Sequence, residues 1–477
     1  MSGASDTRPQ AATAGGNVRV SVAQAMSRAK QLVESGDLGA AESIATSVVT
    51  QRPGQIEATV ILAAVAEKRG DLVRAVDFLR GALTGGSGDG PLQLNLCRSY
   101  RQMGRLEDAR VAGEAAVAIG TTPEALVDLA DVYFALGQNE RALEFYEKAI
   151  ARAPAFARGH LGLSHALMMK GDFRAGLMEY EWRYRLPNTQ SLLPQFKQPQ
   201  WNGMELKSSR LFVLCEQGYG DCFQFARYLP LAAARVNDLI VGTSTELKPV
   251  IERIPGPRAF YDRWETLPAF DFQITLSSLP LVMGTTFETI PANVPYLHAN
   301  PDRVAVWRQR LAEKAQGRPA VGLVWHGRPT NSINQTRSMP LGALTPVLEL
   351  DHILPVSLQV GAGSEQLSQH PARSRVFDAA PMLSDFGETA ALMTALDHVV
   401  TIETAAAHLA GGLGRPAHVL LPHVADWRWL EKREDSPWYP TLRLLRQEEP
   451  GDWHAVARRA ADELRSIRSH ALLKETR

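Results

Sequence analysis

An acidic residue lies at a predicted junction between a strand and a helix, in the stretch CEQGYGDCFQFARYLP. Asp221 follows two glycines, Gly218 and Gly220, and it stands between the apolar run LFVL and a helical pattern of apolar residues. Asp is a favoured helix N-cap, which is one role for it. A carboxylate on a bent loop above a parallel sheet also lies where α/β enzymes carry out their chemistry. The sequence leaves both roles open.

A second stretch, RPTNSINQTRSMP, combines a strand end with basic residues. Arg328 opens it, and Arg337 and Ser338 stand directly before a helix that we predict to start at Pro340. An arginine beside a helix N-terminus stabilises developing negative charge. A loop arginine is often only solvated, and that alternative stays open for both arginines.

A third stretch, TIETAAAHLAGGLG, joins a predicted strand to a helix rich in small residues. Glu403 and Thr404 stand at the junction, and the first backbone N–H groups of the helix would point at an anion, namely those of Thr404, Ala405 and Ala406. His408 lies one turn further along, where it could bind phosphate or pack against the sheet.

The elements that hold these residues alternate between strand and helix after residue 207. The predicted strands are 211–216, 238–243, a short run within 270–276, 320–327, 352–359, 397–402 and 416–422. This alternation implies parallel sheets that are covered on both faces. We predict an N-terminal α/β domain over 208–300, a hinge and helix over 301–319, and a C-terminal α/β domain over 320–477. Two doubly wound domains in tandem form a cleft between the carboxyl ends of their strands.

The first part of the chain repeats with a period of about 34 residues. Glycine opens the same turn-like segment at Gly36, Gly70, Gly104, Gly137 and Gly171, and a small residue follows each glycine five positions later. This helix–turn–helix pattern resembles the tetratricopeptide repeat (TPR) family. We predict about five TPR repeats over 18–187, after a disordered leader over 1–17 and before a linker over 188–207. The concave face of such repeats usually binds proteins, although they can also only orient an attached domain.

The α/β half resembles the catalytic half of bacterial TPR-containing glycosyltransferases, which is similar to the heptosyltransferase-type glycosyltransferase family 9. The resemblance spans about residues 210–455 and rests on motifs in the same order: EQGYGDCFQFARYLP, VGLVWHGRPTNSINQTRSMPLGAL, SLQ, DFGETAALMTALDHVVTIETAAAHLAGGLGRP and DWRWLEKREDSPWYPTLRLLRQEEPGDW. It implies a GT-B pair of doubly wound α/β domains after the TPR α-solenoid. It also implies a nucleotide-sugar donor as substrate, without a separate cofactor.

The resemblance assigns roles to individual residues. It makes Asp221 the catalytic base, which takes the proton of the acceptor hydroxyl, on a loop whose glycines are Gly218 and Gly220. It gives a phosphate-binding role to Arg337 and, as a second candidate, to Arg328. Gln359 ends a predicted strand, and the loop that follows commonly touches the ribose or base in GT-B enzymes; an ordinary turn is equally consistent with the sequence.

This chain departs from the family pattern at two acidic positions. The stretch that contacts sugar and phosphates in the family has Asp where Glu403 stands, so the reach of the carboxylate grows by one methylene. Glu388 also replaces a frequent Asp. Four aromatic residues could stack on sugar or nucleotide rings, or could attach the C-terminal helix to the N-terminal α/β domain: Trp427, Trp429, Trp438 and Tyr439.

The composition excludes several other classes. Lys and Arg together number 51, as do Asp and Glu, so the chain lacks the basic signature of a nucleic-acid binder. Three cysteines without CxxC spacing fit a reducing compartment, and no apolar run is long enough to span a membrane, so we expect a cytoplasmic protein. No metal-binding motif, P-loop, NAD fingerprint or Asp-x-Asp motif occurs, which predicts chemistry without a metal.

These observations predict a glycosyltransferase that moves a sugar from a nucleotide-diphosphate sugar to an acceptor, a protein that the TPR repeats recruit. Two alternatives remain. One is a non-catalytic TPR scaffold with a degenerate GT-B half, which the Glu403 and Glu388 departures support. The other is a different GT-B reaction, such as epimerisation of a nucleotide sugar, which would need no repeats.

Overall fold

The computed structural model describes residues 21–83, 89–190, 194–330 and 334–467. The leader predicted over 1–17 lies outside the described residues. The helices α1–α10 are Val22–Ser35, Leu38–Gln51, Ile56–Lys68, Leu72–Leu83, Gly90–Gln102, Leu106–Ile119, Pro123–Ala135, Asn139–Arg152, Ala157–Met169 and Phe173–Tyr180. The helices α11–α22 are Pro187–Gln190, Tyr219–Phe225, Leu229–Ala233, Lys248–Ile251, Leu279–Val282, Pro301–Ala315, Asn334–Arg337, Thr345–Leu348, Glu365–Gln369, Phe386–Ala395, Ala405–Gly412 and Trp453–Leu464. The strands β1–β10 are Leu206–Leu214, Val236–Gly242, Ala259–Tyr261, Phe272–Thr275, Ala320–Val324, Leu354–Ser357, Phe377–Asp378, His398–Ile402, Ala417–Leu421 and Leu442–Arg446.

Helices α1–α10 follow one another as five helix–turn–helix pairs. The glycine that marks each repeat has a positive φ angle, from 71° at Gly137 to 89° at Gly36, which is a backbone conformation that favours glycine. The small residue five positions later is fully buried in four of the pairs: Ala41, Ala75, Ala109 and Ala142. These features produce the predicted period of 34 residues.

In the fifth pair, the position five residues after the repeat glycine is occupied by Gly176 instead of alanine, because a larger residue would not fit there. A Cβ atom on Gly176 would lie 2.4 Å from Cγ of Met168 and 3.0 Å from the backbone oxygen of Ser164. Helices α9 and α10 therefore approach each other more closely than alanine allows.

The chain divides into two compact units, Met1–Tyr133 and Phe134–Arg477. The first unit contains most of the repeat helices, and its N-terminal core is built from α1–α3 around Met26, Ala45 and Ile61. The second unit contains the last repeat helices together with the α/β region. The compact division therefore falls near the end of α7 rather than in the linker over 188–207.

The second unit contains two parallel sheets. The strand order is β3-β2-β1-β4 in the four-stranded sheet and β10-β9-β8-β5-β6-β7 in the six-stranded sheet, and all pairs of strands are parallel. The predicted region of parallel α/β structure is thus confirmed. In each sheet the chain order reverses beside a central strand, at β1–β4 and at β5–β8, and crevices open at the carboxyl ends of strands at such points.

The helix predicted to start at Pro340 is a short helical segment for which Pro340 is the N-cap. Helix α17 ends at Arg337, Pro340 has extended backbone angles, and only a 3₁₀ turn over Leu341–Leu344 precedes α18. Proline is tolerated only in the first turn of a helix, so Pro346 requires the helix to begin again at Thr345. Arg337 therefore has no long helix behind it whose N-terminus could bind an anion.

The last repeat packs into the α/β region. The ring of Phe173, in α10, lies 6.3 Å from Phe287, 6.0 Å from Trp427 and 5.4 Å from Trp438, measured between ring centroids. Arg183, in the 3₁₀ turn after α10, donates hydrogen bonds of 2.7 and 2.8 Å to the hydroxyl groups of Ser277 and Ser278. The fifth repeat is therefore a structural part of the second unit.

Candidate functional site

A cleft of about 570 Å³ lies between the two sheets of the second unit, a volume typical of small-molecule sites. It is bordered by the loops that follow β1, β5 and β8 and by the segment that follows β9. Its polar lining residues are Tyr219, Asp221, Glu246, His326, Arg328, Arg337, Gln359, Ser384, Asp385, Thr389, Glu403, Thr404, His408, Asp426, Arg428 and Trp429. Gly218, Gly220, Ala405 and Ala406 also line it.

Asp221 faces this cleft from the side of the four-stranded sheet. Gly218 is the N-cap of α12, so Asp221 is the third residue of the helix and the N-cap role is wrong for it. Its side chain is 24% exposed, and one carboxylate oxygen, Oδ1, accepts a hydrogen bond from Arg428. Burial raises the pKa of Asp221, against the charge of Arg428, which lowers it.

Arg428 is the main functional group that the sequence analysis did not single out. It belongs to a 3₁₀ turn over Trp427–Trp429, whose N-cap is Asp426. Its Nη1 donates to Asp426 Oδ1 at 2.7 Å, and its Nε donates to Gln224 Oε1 at 2.6 Å. The spacing of Asp426 and Arg428 is a local signal for the first of these bonds, but nothing in the sequence points to Asp221 as a partner.

Arg337 lies against a glycine on the opposite side of the cleft. A Cβ atom on Gly327 would lie 3.2 Å from Nε and 3.3 Å from Nη2 of Arg337, so the guanidinium rests on bare backbone. Within the part of the chain that the structure describes, Arg337 Nε is buried without a hydrogen-bond partner. A buried donor without a partner has an unmet hydrogen bond, and Arg337 itself lines the cleft in which a ligand would bind.

Thr404 stands at the start of helix α21 and lines the same cleft as Arg337. It is the N-cap, with extended backbone angles, but its side chain makes no capping hydrogen bond and its Oγ1 is buried without a partner among the described residues. Ala405 and Ala406 follow it in the first turn and line the cleft. The indole Nε1 of Trp429 is a further buried donor without a described partner.

Glu403 and His408 are buried titratable groups at the same end of the cleft. Glu403 Oε2 accepts a hydrogen bond of 3.2 Å from the backbone N–H of Asp426, and burial together with the charge of Asp426 raises its pKa to about 8. His408 Nδ1 lies 2.9 Å from the hydroxyl group of Tyr439, and burial lowers the pKa of His408 to about 3. At neutral pH both side chains are therefore uncharged.

Two predicted site residues use their polar groups within the protein. Gln359 accepts from the N–H groups of Trp325 and His326 and donates to the oxygens of His326 and Ala362, which is its full hydrogen-bonding capacity. Ser338 Oγ accepts from the N–H of Gly327 and donates to Asn334. Both side chains shape the loops rather than offer groups to a ligand, and Ser338 is not among the lining residues.

The remaining predicted residues have other neighbours. Arg328 lines the cleft, with its guanidinium carbon 5.1 Å from the ring centroid of Tyr219. Glu388 does not line the cleft; it accepts hydrogen bonds of 3.0 Å from Arg303 and Trp307. The four aromatic residues at 427–439 are buried in the hydrophobic core that contains Phe173. The C-terminal helix α22 packs in a different core, and of the four aromatic residues only Trp429 lines the cleft.

No group of three His, Cys, Asp or Glu side chains within residues 21–83, 89–190, 194–330 and 334–467 is arranged to hold a metal ion. Over the same ranges, no helix has the length and apolar character needed to cross a membrane.

Comparison with known proteins identifies the repeats. Two family models described as tetratricopeptide repeat match residues 26–90 and 123–156. The chain carries TPR repeats. Over 542 aligned positions it is 24% identical to Protein FlbA of Caulobacter vibrioides, and the match covers 93% of this chain and 90% of that protein.

Two solved structures are also similar over part of the chain. A thermophilic TPR protein of Thermus thermophilus is 22% identical, with coverage of 32% of this chain and 84% of that chain and a TM-score of 0.30. The pilF protein of Pseudomonas aeruginosa is 16% identical, with coverage of 37% and 78% and a TM-score of 0.33.

Proposed function

We propose that the α/β region is a GT-B glycosyltransferase that moves a sugar from a nucleotide-diphosphate sugar to an acceptor recruited by the TPR repeats. One observation supports this most strongly. A partly exposed carboxylate, Asp221, lines one wall of the cleft. Arg337 and Thr404 line it together with the first turn of a helix, and each has a buried polar atom without a hydrogen-bond partner among the described residues. The sequence resemblance to TPR-containing glycosyltransferases favours the same class.

The donor diphosphate would bind on the side of the six-stranded sheet. Arg337 offers a cationic donor that has no partner among the described residues, and the first N–H groups of α21 offer further donors at a helix N-terminus. Thr404 Oγ1 and Trp429 Nε1 can bind phosphate or sugar oxygens. The nucleotide sugar is a substrate in this scheme, and no separate cofactor is needed.

The chemical step is a substitution at the anomeric carbon. The acceptor oxygen attacks this carbon, and the bond between the carbon and the diphosphate oxygen breaks, with the electron pair leaving on the diphosphate. Asp221 takes the proton of the acceptor and releases it to solvent afterwards. Because burial raises the pKa of Asp221, its carboxylate is a stronger base than an exposed one. Arg337 stabilises the charge that develops on the leaving group.

The TPR repeats favour a protein acceptor, or a protein that presents the acceptor. Stacked repeats bind proteins on the face formed by the first helix of each pair. In the first unit this face carries charged groups, such as Arg98 of α5, which forms an ion pair with the buried Asp128 of α7. We assign acceptor recruitment to this face.

Calorimetry with UDP, GDP and ADP tests the donor site. We expect one of the three to bind the wild type, and we expect its affinity to fall about 10- to 100-fold in Arg337→Ala, the loss typical of a charged hydrogen bond. Arg443→Ala is the matched control, because Arg443 does not line the cleft and pairs with the surface residues Glu434 and Glu463. If no nucleotide binds, the alternative of a TPR scaffold with a degenerate α/β half is correct.

Asp221→Asn tests the base separately. We expect nucleotide binding to be unchanged and sugar transfer to be lost, measured by mass spectrometry of proteins from strains that express each variant. Asp435→Asn is the control, since Asp435 pairs with Arg433 at the surface. Transfer by the Asp221 variant at the wild-type rate would remove Asp221 from the role of base.

A further inference from the structure

One buried arginine connects the two walls of the cleft. Arg428 donates through Nη2 to Asp221 Oδ1, through Nη1 to Asp426 Oδ1 and through Nε to Gln224 Oε1. Asp221 and Gln224 lie one turn apart on α12, which follows β1 of the four-stranded sheet. Asp426 and Arg428 follow β9 of the six-stranded sheet.

The contacts of Arg428 fix its orientation. The side chain is 10% exposed, and its three nitrogen atoms all have oxygen acceptors. A planar guanidinium held on three sides cannot rotate without breaking one of these bonds. Arg428 therefore holds the carboxylate of Asp221 from outside helix α12, which carries Asp221.

This contact divides the two oxygens of Asp221 between two tasks. Oδ1 is occupied by Arg428, whereas Oδ2 lies on the side of the loop, 3.2 Å from the position that a Cβ atom on Gly218 would take. The backbone N–H groups of Gly218 and Asp221 also interact with this carboxylate. Because a carboxylate oxygen can accept more than one hydrogen bond, Oδ2 still has the capacity to take a proton from an acceptor in the cleft.

We infer that Arg428 is the positioning residue for Asp221: it holds Oδ1 so that Oδ2 faces the acceptor. The inference rests on the proposed glycosyl transfer and adds a residue to it. Arg428 acts through Asp221 and not on the reacting atoms. The residue that orients the base thus belongs to the sheet that would bind the donor.

Other contacts hold the two sheets together without Arg428. Arg227, just after α12, donates hydrogen bonds of 2.7 Å to the backbone oxygen of Trp438 and 3.1 Å to that of Pro291. Tyr219 and Phe223 pack edge-on against Phe386. A variant at Arg428 is therefore expected to fold, and thermal unfolding of each variant checks this.

The test compares Arg428→Lys and Arg428→Gln with the wild type and with Arg443→Gln as the surface control. The first readout is binding of UDP, GDP and ADP by calorimetry. The second is the pH profile of hydrolysis of the corresponding nucleotide sugar, with water as acceptor, so that no protein acceptor is needed. The other ionisable groups near Asp221 are Asp426, Tyr180 of α10 and Cys222 of α12.

We expect Arg428→Gln to bind the nucleotide with an affinity within about 3-fold of the wild type and to have a kcat at least about 10-fold lower. The acidic limb of its pH–rate profile should move to higher pH, because the carboxylate of Asp221 loses a neighbouring positive charge. Arg428→Lys should keep the position of the limb and lose part of kcat, since lysine lacks the planar fork. An unchanged kcat and pH profile in Arg428→Gln overturns the inference alone. A loss of nucleotide affinity of 10-fold or more would instead make Arg428 a donor-binding residue. If the wild type binds no nucleotide, the proposed function fails, and the inference fails with it.

Discussion

Gly220 lies against His408, so closely that a Cβ atom on the glycine would come within 2.8 Å of Cδ2 of the imidazole ring. The same atom would lie 3.5 Å from Cα of Ala405. Gly220 is in the first turn of α12, and the other two residues are in the first half of α21, so the backbone of α12 rests directly on the His408 ring and on the start of α21. This contact sets the distance between Asp221 and the first turn of α21.

Gly220→Ala should therefore move the two walls of the cleft apart. His408 is held by Tyr439 and lies against Trp429, with ring centroids 5.2 Å apart, so the ring cannot move away freely. Overpacking of this kind costs about 1–3 kcal/mol, and we expect a lower unfolding midpoint together with weaker nucleotide binding. Gly342→Ala is the control, because a Cβ atom there would meet nothing within 4 Å. Equal behaviour of the two variants would contradict the close contact.

Gly327→Ala should displace Arg337. The added methyl group would lie 2.4 Å from Asn334 Oδ1 and 3.2 Å from Arg337 Nε, so both side chains must shift. We expect the affinity for the nucleoside diphosphate to fall about 10-fold or more, because the charged hydrogen bond to phosphate is misaligned. Calorimetry with the nucleoside diphosphate and with the matching nucleoside separates the contribution of the phosphates to the affinity from that of the nucleoside. If both ligands lose affinity equally, the effect does not pass through Arg337.

Gly176→Ala and Gly39→Ala should have opposite effects on stability. Alanine at 176 would collide with Met168 and with the backbone of Ser164, which predicts a loss of about 1–3 kcal/mol. Gly39 lies near the start of α2, and a Cβ atom there meets nothing within 4 Å, so alanine should stabilise the helix by about 0.5–1 kcal/mol. Thermal unfolding of both variants checks the pair, and stabilisation by Gly176→Ala would show that α9 and α10 are further apart than described.

Glu403 should make the second unit less stable as the pH rises. Its pKa is about 8 in the folded protein against an ordinary value of 4.5, so between these values the folded state holds a proton that the unfolded state has lost. The stabilising effect of that proton is complete below pH 4.5 and is lost as the pH rises toward 8. Glu403→Gln should remove this slope, which is at most about 1.4 kcal/mol per pH unit. Urea unfolding of both proteins at pH 5 and pH 8 measures it; parallel pH dependences would contradict a protonated Glu403.

The parts of the fold that follow from local patterns could be predicted from the sequence. The glycine period gives the repeat helices because each glycine takes a left-handed conformation that other residues avoid. The buried parts of β1, β5 and β8 are short, mainly apolar runs, LFVL in β1, AVGLV in β5 and VVTI in β8. Strands β3 and β7 were missed, since they have three and two residues, and β10 was missed because it lies at the edge of its sheet and exposes Arg443.

The site was predictable in its parts but not in its contacts. Asp221, Arg337 and Thr404 were selected from strand ends and helix starts, and all three line one cleft. The pairing of Asp221 with Arg428 joins positions 207 residues apart, which no local pattern reports. For Ser338 and Gln359, the sequence predicts polar side chains in loops near the cleft. Only the structure shows that their hydrogen bonds are already used within the protein.

The junction formed by Phe173 and Arg183 constrains how proteins of this architecture can diversify. Because these residues belong to the fifth repeat yet pack on the α/β region, an exchange of one set of repeats for another would have to be spliced upstream of them. The first three repeats can acquire new binding preferences, while the fifth must co-evolve with the residues it covers; the fourth is also constrained, because its Gly137 lies close to Val424.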